Sequence, residues 1–196
     1  MPQNTHLELV SAEAERQAES PREAWDASAL HSQAVELARQ LGWVPSVRSS
    51  HTLKERVRAL HRRLAPLLHA FRGPLPDKPV SDDFHWLHDN LRLVETELYG
   101  LRDAVKTIRK VPHVRRSDGV VVPRVAALAE GLLSATAYQF SEQAFSAYVE
   151  AYQETTVLKM KELWGLVSAM KLLLLEQIAA RASQLPANPA GLYGAG

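Results

Sequence analysis

From Leu53 to Phe71 apolar side chains recur at steps of four, three, four, three and four: Leu53, Val57, Leu60, Leu64, Leu67 and Phe71. Those steps put all six on one face of an α-helix; a strand would need them at every second residue. The spacing returns at Leu87, Leu91, Val94, Leu98, Leu101, Val105 and Ile108. Long apolar stripes must be buried against other helices, so the chain is expected to form an all-α bundle. Hydrophobic residues make up 46% of the 196 residues, enough for a real core.

Capping and breaking residues divide the chain into five to seven helices. Ser20-Pro21-Arg22-Glu23 reads as a capping box opening a first helix, with Trp25, Leu30, Leu37 and Leu41 on its apolar face and Gly42 as its stop. Thr52-Leu53-Lys54-Glu55 opens the second, which Pro66 is expected to bend or divide. Gly73-Pro74-Leu75-Pro76-Asp77-Lys78-Pro79 reads as an extended linker. A third helix is expected from about Ser81 to Arg109. Val111 to Val122 reads as a loop turning at Ser117-Asp118-Gly119, and Val120-Val121-Val122 is too short to build a sheet. Pro123 opens a fourth helix carrying Val125, Leu128 and Leu132. Ser141 caps a fifth with Phe145, Tyr148, Val149 and Tyr152 on its apolar side, and the last helix runs from near Leu158 to near Gln184. The expected organisation is a disordered tail at 1–19, a leading helical pair at 20–72, a proline-rich linker at 73–80, a helical bundle at 81–184 and a second tail at 185–196.

Composition narrows the function classes. The 23 basic and 22 acidic residues leave a net charge of +1, which argues against a strongly cationic nucleic-acid binder. With no cysteine there is no disulfide framework, thiol nucleophile or thiolate metal site. The first residues lack the basic start and apolar core of a secretory signal. Leu163 to Ala180 is the most apolar stretch, but Lys171 and Glu176 would each cost roughly 2.5–3.5 kcal/mol at mid-bilayer. It is read as a buried helix, and no transmembrane segment is expected.

From Phe84 onward, over about half the chain, an ordered set of motifs appears: Trp86-Leu87 with Asp89-Asn90, then Val94-Glu95; Pro123-Arg124-Val125; Ala151-Tyr152-Gln153-Glu154; Glu162-Leu163-Trp164; and Leu175-Glu176. In order and spacing this resembles the amino-terminal region of the bacterial cyclic β-1,2-glucan synthases, large membrane enzymes that join a family 84 glycosyltransferase to a phosphorylase-like carboxyl-terminal region. Departures are Lys159 where the family has a helix-capping threonine, Gly165-Leu166-Val167 where it tends to Ala-Leu-Pro, and Lys171 where an arginine is usual. The resemblance implies a cytoplasmic protein associated with the inner membrane, whose downstream transferase uses UDP-glucose and a divalent metal. The matched region precedes that catalytic centre. The only close aspartate pair, Asp82-Asp83, opens a helix, and neither an Asp-x-Asp site nor a glycine-rich phosphate loop is present. No catalytic, cofactor or metal residue is assigned in this chain.

The remaining candidates are interface or motif residues: Trp86, Asp89, Asn90, Glu95, Pro123, Arg124, Tyr152, Gln153, Glu162 and Trp164. Asp82, His85, His88 and Asp89 share a helix start and read as dipole and solvent chemistry rather than a metal site. Asp89 and Asn90 are unusual choices inside a long helix; they either bond another helix or domain, or face water. Glu162 is a candidate to pair with Arg124 or Lys171, against the alternative of a capping or surface carboxylate. Trp86 and Trp164 are expected in the core, with sugar stacking as the lesser reading, and Tyr148 and Tyr152 read as core or interface aromatics. Lys54, Arg56, Arg58, Arg62 and Arg63, and separately Lys106, Arg109, Lys110, Arg115 and Arg116, form basic regions read as solvated faces or as contacts to an anionic membrane surface; no nucleic acid is expected. The resulting expectation is a non-catalytic scaffold or docking region that packs against and orients the downstream transferase and transmembrane regions of the same enzyme. The alternatives are a stand-alone helical interaction module and a small active enzyme acting on glucan.

Overall fold

The periodic stripes close into seven helices among the described residues. A computed structural model describes residues 25–44, 51–73, 80–108 and 111–185, apart from the side chains of 51–52 and 105–108. The helices are α1 (Ala27–Gln40), α2 (His51–Ala70), α3 (Asp82–Asp89), α4 (Leu91–Ile108), α5 (Arg124–Ala135), α6 (Glu142–Gln153) and α7 (Met160–Ala182). α7 is the axis: α2, α3, α4 and α5 all pack on it, while α1 lies on α5 and α6. The buried residues form a single cluster that includes Leu30, Leu64, Leu98, Leu128, Tyr148 and Leu166. Both expected tails lie outside the described residues except Leu185, as does the linker except Gly73 and Val80.

Local chemistry explains most boundaries. Ser141 Oγ accepts from Ala144 N–H at 3.1 Å and starts α6, and Ser81 does the same for Phe84 at 3.3 Å to start α3. Pro123 stands at the N-cap of α5, where its missing N–H costs nothing. Pro66 does not divide α2, which runs unbroken through it. On α2 the deep position is Leu68 rather than the expected Leu67, which is only partly buried.

Three expectations are corrected. The first helix starts at Ala27, where Asp26 Oδ1 accepts from Ser28 N–H at 2.9 Å; Ser20 to Glu23 lie outside the described residues. The single third helix is two, because the Asn90 amide donates to Trp86 O at 2.8 Å and its backbone leaves the helical region. The loop from Val111 to Val122 is a hairpin. β2 (His113–Arg115) and β3 (Val121–Pro123) pair antiparallel, and β1 (Gly42–Val44) adds to β2, giving a small sheet in the order β1-β2-β3. The expected turn is present: Gly119, at φ +83°, donates to Arg116 O, and Asp118 Oδ1 accepts from Val120 N–H.

α7 is also the one helix among the described residues long and apolar enough to cross a bilayer; 44% of its most apolar window is buried inside the protein. Gly131 marks a tight junction of α1, α5 and α6, because a Cβ there would lie 2.4 Å from Tyr148 Oη and 2.8 Å from Leu37 Cδ2. Gly131→Ala is expected to lower stability by about 1–2 kcal/mol in urea denaturation, overpacking outweighing the gain in helix propensity. Burial raises the phenols of Tyr148 and Tyr152 above their ordinary value of 10. Above pH ~10 the unfolded tyrosines therefore lose protons that the folded ones keep. Folding stability should fall with rising pH there, by at most about 1.4 kcal/mol per pH unit for each tyrosine. Tyr148→Phe should make that slope shallower in urea titrations between pH 9 and 11.

Candidate functional site

Three of the sequence motifs converge on one buried node at the start of α7. Arg124, the first residue of α5, reaches Glu162 with Nε at 2.7 Å from Oε1 and Nη2 at 2.6 Å from Oε2, a side-on bidentate pair. The Arg124 side chain is 9% exposed and that of Glu162 is 1%. Arg124 Nη2 also donates to Val157 O at 3.4 Å, and Glu162 Oε2 accepts from Lys159 N–H at 3.1 Å. Gln153 Oε1 accepts from Leu158 N–H at 3.2 Å, so the connection between α6 and α7 is held from both sides. Tyr152 is buried beside the pair; desolvation raises its phenol, Arg124 lowers it and Glu162 raises it. Glu162 therefore serves both roles considered for it, cross-helix partner and cap. Lys159, a cation without a lone pair, contributes only its backbone.

A second carboxylate on α7 is gripped in the same manner. Glu176 takes Arg56 of α2, with Nε at 3.0 Å and Nη2 at 2.6 Å. Hydrogen bonding to Glu176 raises the Arg56 guanidinium above its ordinary value, against the opposing effect of burial. Arg56 also lies 3.5 Å from Glu130 of α5, which binds Arg116 of the hairpin. Glu162 and Glu176 are fourteen residues apart, close to four turns, so they share a face of α7. Lys171, the other candidate partner for Glu162, pairs instead with Glu97 of α4 at 2.7 Å.

The motif around α3 is used locally. Asn90 bonds its own helix, and Asp89 is exposed with His88 Nδ1 3.6 Å away. Glu95 pairs with Arg72, joining α4 to the end of α2. Among the described residues no group of three or more histidine and acidic side chains is placed to hold a metal ion. The basic regions are partly consumed: Arg56 and Arg116 are in the network above, Arg63 donates to Ser183 Oγ, and the side chains of Lys106, Arg109 and Lys110 lie outside the described residues.

The expectation that both tryptophans are core residues is overturned. Trp164 is 65% exposed and Trp86 is 49% exposed. Trp164 sits on α7 in an exposed row with Met160 and Val167, at steps of four and three, and Val157, in the connection before the helix, is exposed as well. Sequence reasoning missed this stripe because α7 is apolar around its whole circumference. The signal was present in the spacing of Met160, Trp164 and Val167, which repeats on the side of the helix that Glu162 does not occupy.

Removing one partner of a buried pair leaves the other charged and unsatisfied, at a cost of about 3–5 kcal/mol. Arg124→Met and Glu162→Leu are each expected to destabilise the protein by that amount in urea denaturation. The double variant should recover most of the loss, because neither charge remains buried alone.

The chain is 30% identical over 128 residues to the cyclic beta-(1,2)-glucan synthase NdvB of Rhizobium meliloti (strain 1021). That alignment covers 62% of this chain and 4% of the length of that protein. No family model matches the chain. The similarity is distant and partial, and it links this helical fold to one small portion of a glucan synthase.

Proposed function

We propose that this chain is a non-catalytic helical scaffold of a protein related to the cyclic β-1,2-glucan synthases, and that it orients the transferase or membrane-embedded part of such an enzyme at the inner face of the cytoplasmic membrane. The observation that carries this reading is the exposed row Met160, Trp164 and Val167 on a helix whose opposite side is locked by buried charge, with Val157 exposed in the connection that precedes it. A solvent-facing apolar row of this kind on a folded domain marks a contact surface. Its centre is an aromatic residue of the type that dominates interface energetics. Covering the row at about 25 cal/mol per Å² of apolar surface supplies the driving force for docking. The distant similarity to a glucan synthase supports that choice of partner. In this reading UDP-glucose and the divalent metal belong to the transferase, and this chain binds neither.

The test supplies this chain in trans to NdvB from which the matching segment has been deleted, and follows co-purification from membranes together with glucan synthesis. The chain should co-purify, and Trp164→Glu with Val167→Glu should abolish co-purification while leaving thermal unfolding unchanged. A chain that stays free of the synthase while binding other helical proteins would establish the stand-alone module instead. UDP-glucose turnover by the purified chain alone, lost on mutating one carboxylate, would overturn the scaffold reading.

A further inference from the structure

A groove of about 710 Å³ lies at the opposite end of α7 from the docking stripe, between α3, the end of α5 and the last turns of α7. That volume falls within the range of about 300–1,000 Å³ typical of small-ligand sites. Two aromatic side chains line it, Trp86 and Tyr138, and both are substantially exposed. Asp82, Asp83, Gln177 and Arg181 bring planar polar groups to the same groove, over an apolar wall that includes Leu174 and Ile178.

The backbone at Tyr138 is an independent sign that this side chain is needed where it stands. Ala137 and Tyr138 have φ of +49° and +63°, in the left-handed region. For a residue with a Cβ that conformation costs roughly 1–2 kcal/mol, and glycine or asparagine would adopt it with less strain. The chain there closes α5 with Tyr138 N–H donating to Leu133 O at 2.7 Å and Ala137 N–H donating to Ser134 O at 3.2 Å; glycine is usual at the Ala137 position of this closure, and Tyr138, one residue beyond it, is left-handed as well. A tyrosine held in this conformation, with its ring at a groove, fits the general association of backbone strain with binding sites.

The chemistry selects among ligands. Two carboxylates against one guanidinium, itself 3.9 Å from Asp83, disfavour an anion such as a phosphate or a sugar nucleotide. A wholly apolar segment would desolvate four polar side chains without giving them partners. A neutral sugar chain satisfies both sets of groups. The C–H faces of its rings would lie on Trp86 and Tyr138, and its hydroxyls would donate to Asp82 and Asp83, accept from Arg181 and exchange hydrogen bonds with Gln177. We propose that this groove is a non-catalytic binding site for an uncharged oligosaccharide. This inference stands apart from the docking reading, because none of the stripe residues lines the groove.

Isothermal titration of the full chain against linear gluco-oligosaccharides of β-1,2, β-1,3 and β-1,4 linkage tests it, with UDP-glucose and inorganic phosphate as anionic probes. Saturable binding of at least one neutral oligosaccharide is expected, with weaker or no binding of the two anions. Trp86→Ala and Tyr138→Asn should each weaken binding about tenfold or more, the loss of one stacking surface. Tyr138→Asn should at the same time keep or raise the melting temperature, since asparagine tolerates the left-handed backbone; that variant decides the matter if Trp86→Ala unfolds. Trp164→Glu should leave sugar binding intact, so failure of docking and failure of this site are read separately. The inference is overturned if no oligosaccharide binds saturably, if both groove variants bind as tightly as the parent chain, or if an anionic probe binds more tightly than every neutral one.

Discussion

The buried pair of Arg124 and Glu162 is the constraint around which the carboxyl-terminal helices are arranged. Taking two charges out of water costs several kcal/mol for each ion, and only a nearly ideal arrangement offsets that. Here the carboxylate accepts two guanidinium bonds and a backbone N–H, and the guanidinium also reaches a carbonyl. The bonds tie the first residue of α5 to the first turn of α7 and to the connection that precedes it. Arg124 N–H donates to Pro112 O at 2.8 Å, so the hairpin is fastened to the same point. Segments distant in the chain are thereby held in one register, which is the best-attested use of buried ionic groups.

The need for such a lock follows from the composition of α7. Most helices in this fold choose their orientation by an apolar stripe: α2 turns Leu53, Val57, Leu60, Leu64 and Leu68 inward and leaves charge outside. α7 has no comparable stripe, because leucine, alanine, methionine, tryptophan and valine surround it. Hydrophobic burial alone does not fix the rotation of such a helix about its axis. Glu162 and Glu176, on one face and each gripped by an arginine from a different helix, supply the missing torque, and Lys171 with Glu97 holds the other side.

That division also explains what the sequence disclosed and what it concealed. The helices were legible because their stripes have the helical period and their caps are local: Ser141 and Pro123 do what their positions announce. The small sheet was not, since its strands are three residues long and β1 comes from a remote part of the chain. The break at Asn90 depends on one side-chain amide turning back on its own helix, which periodicity does not register. For Glu162 two partners were open, yet geometry alone separates them: Lys171 is nine residues along the same helix, about 180° around it, and so faces away. The tryptophans were misplaced for the complementary reason. A large aromatic on an apolar helix reads as core, but where the whole circumference is apolar the polar lock decides which side is covered.

Rotation of α7 and exposure of its outer residues are therefore one property. A shift of the helix by a single residue would turn it by about 100°. It would swing Trp164 toward the interior and carry Glu162 away from Arg124. The ionic lock prevents this and keeps Trp164 and Val167 in solvent, an arrangement that hydrophobic burial within this chain would not choose. Farther along the same helix, Gln177 and Arg181 are held against α3 and the strained end of α5, where Tyr138 stands. The charged groups inside the bundle thus define its outer chemistry: they set which apolar row is presented at one end of α7 and which polar groups meet aromatic rings at the other.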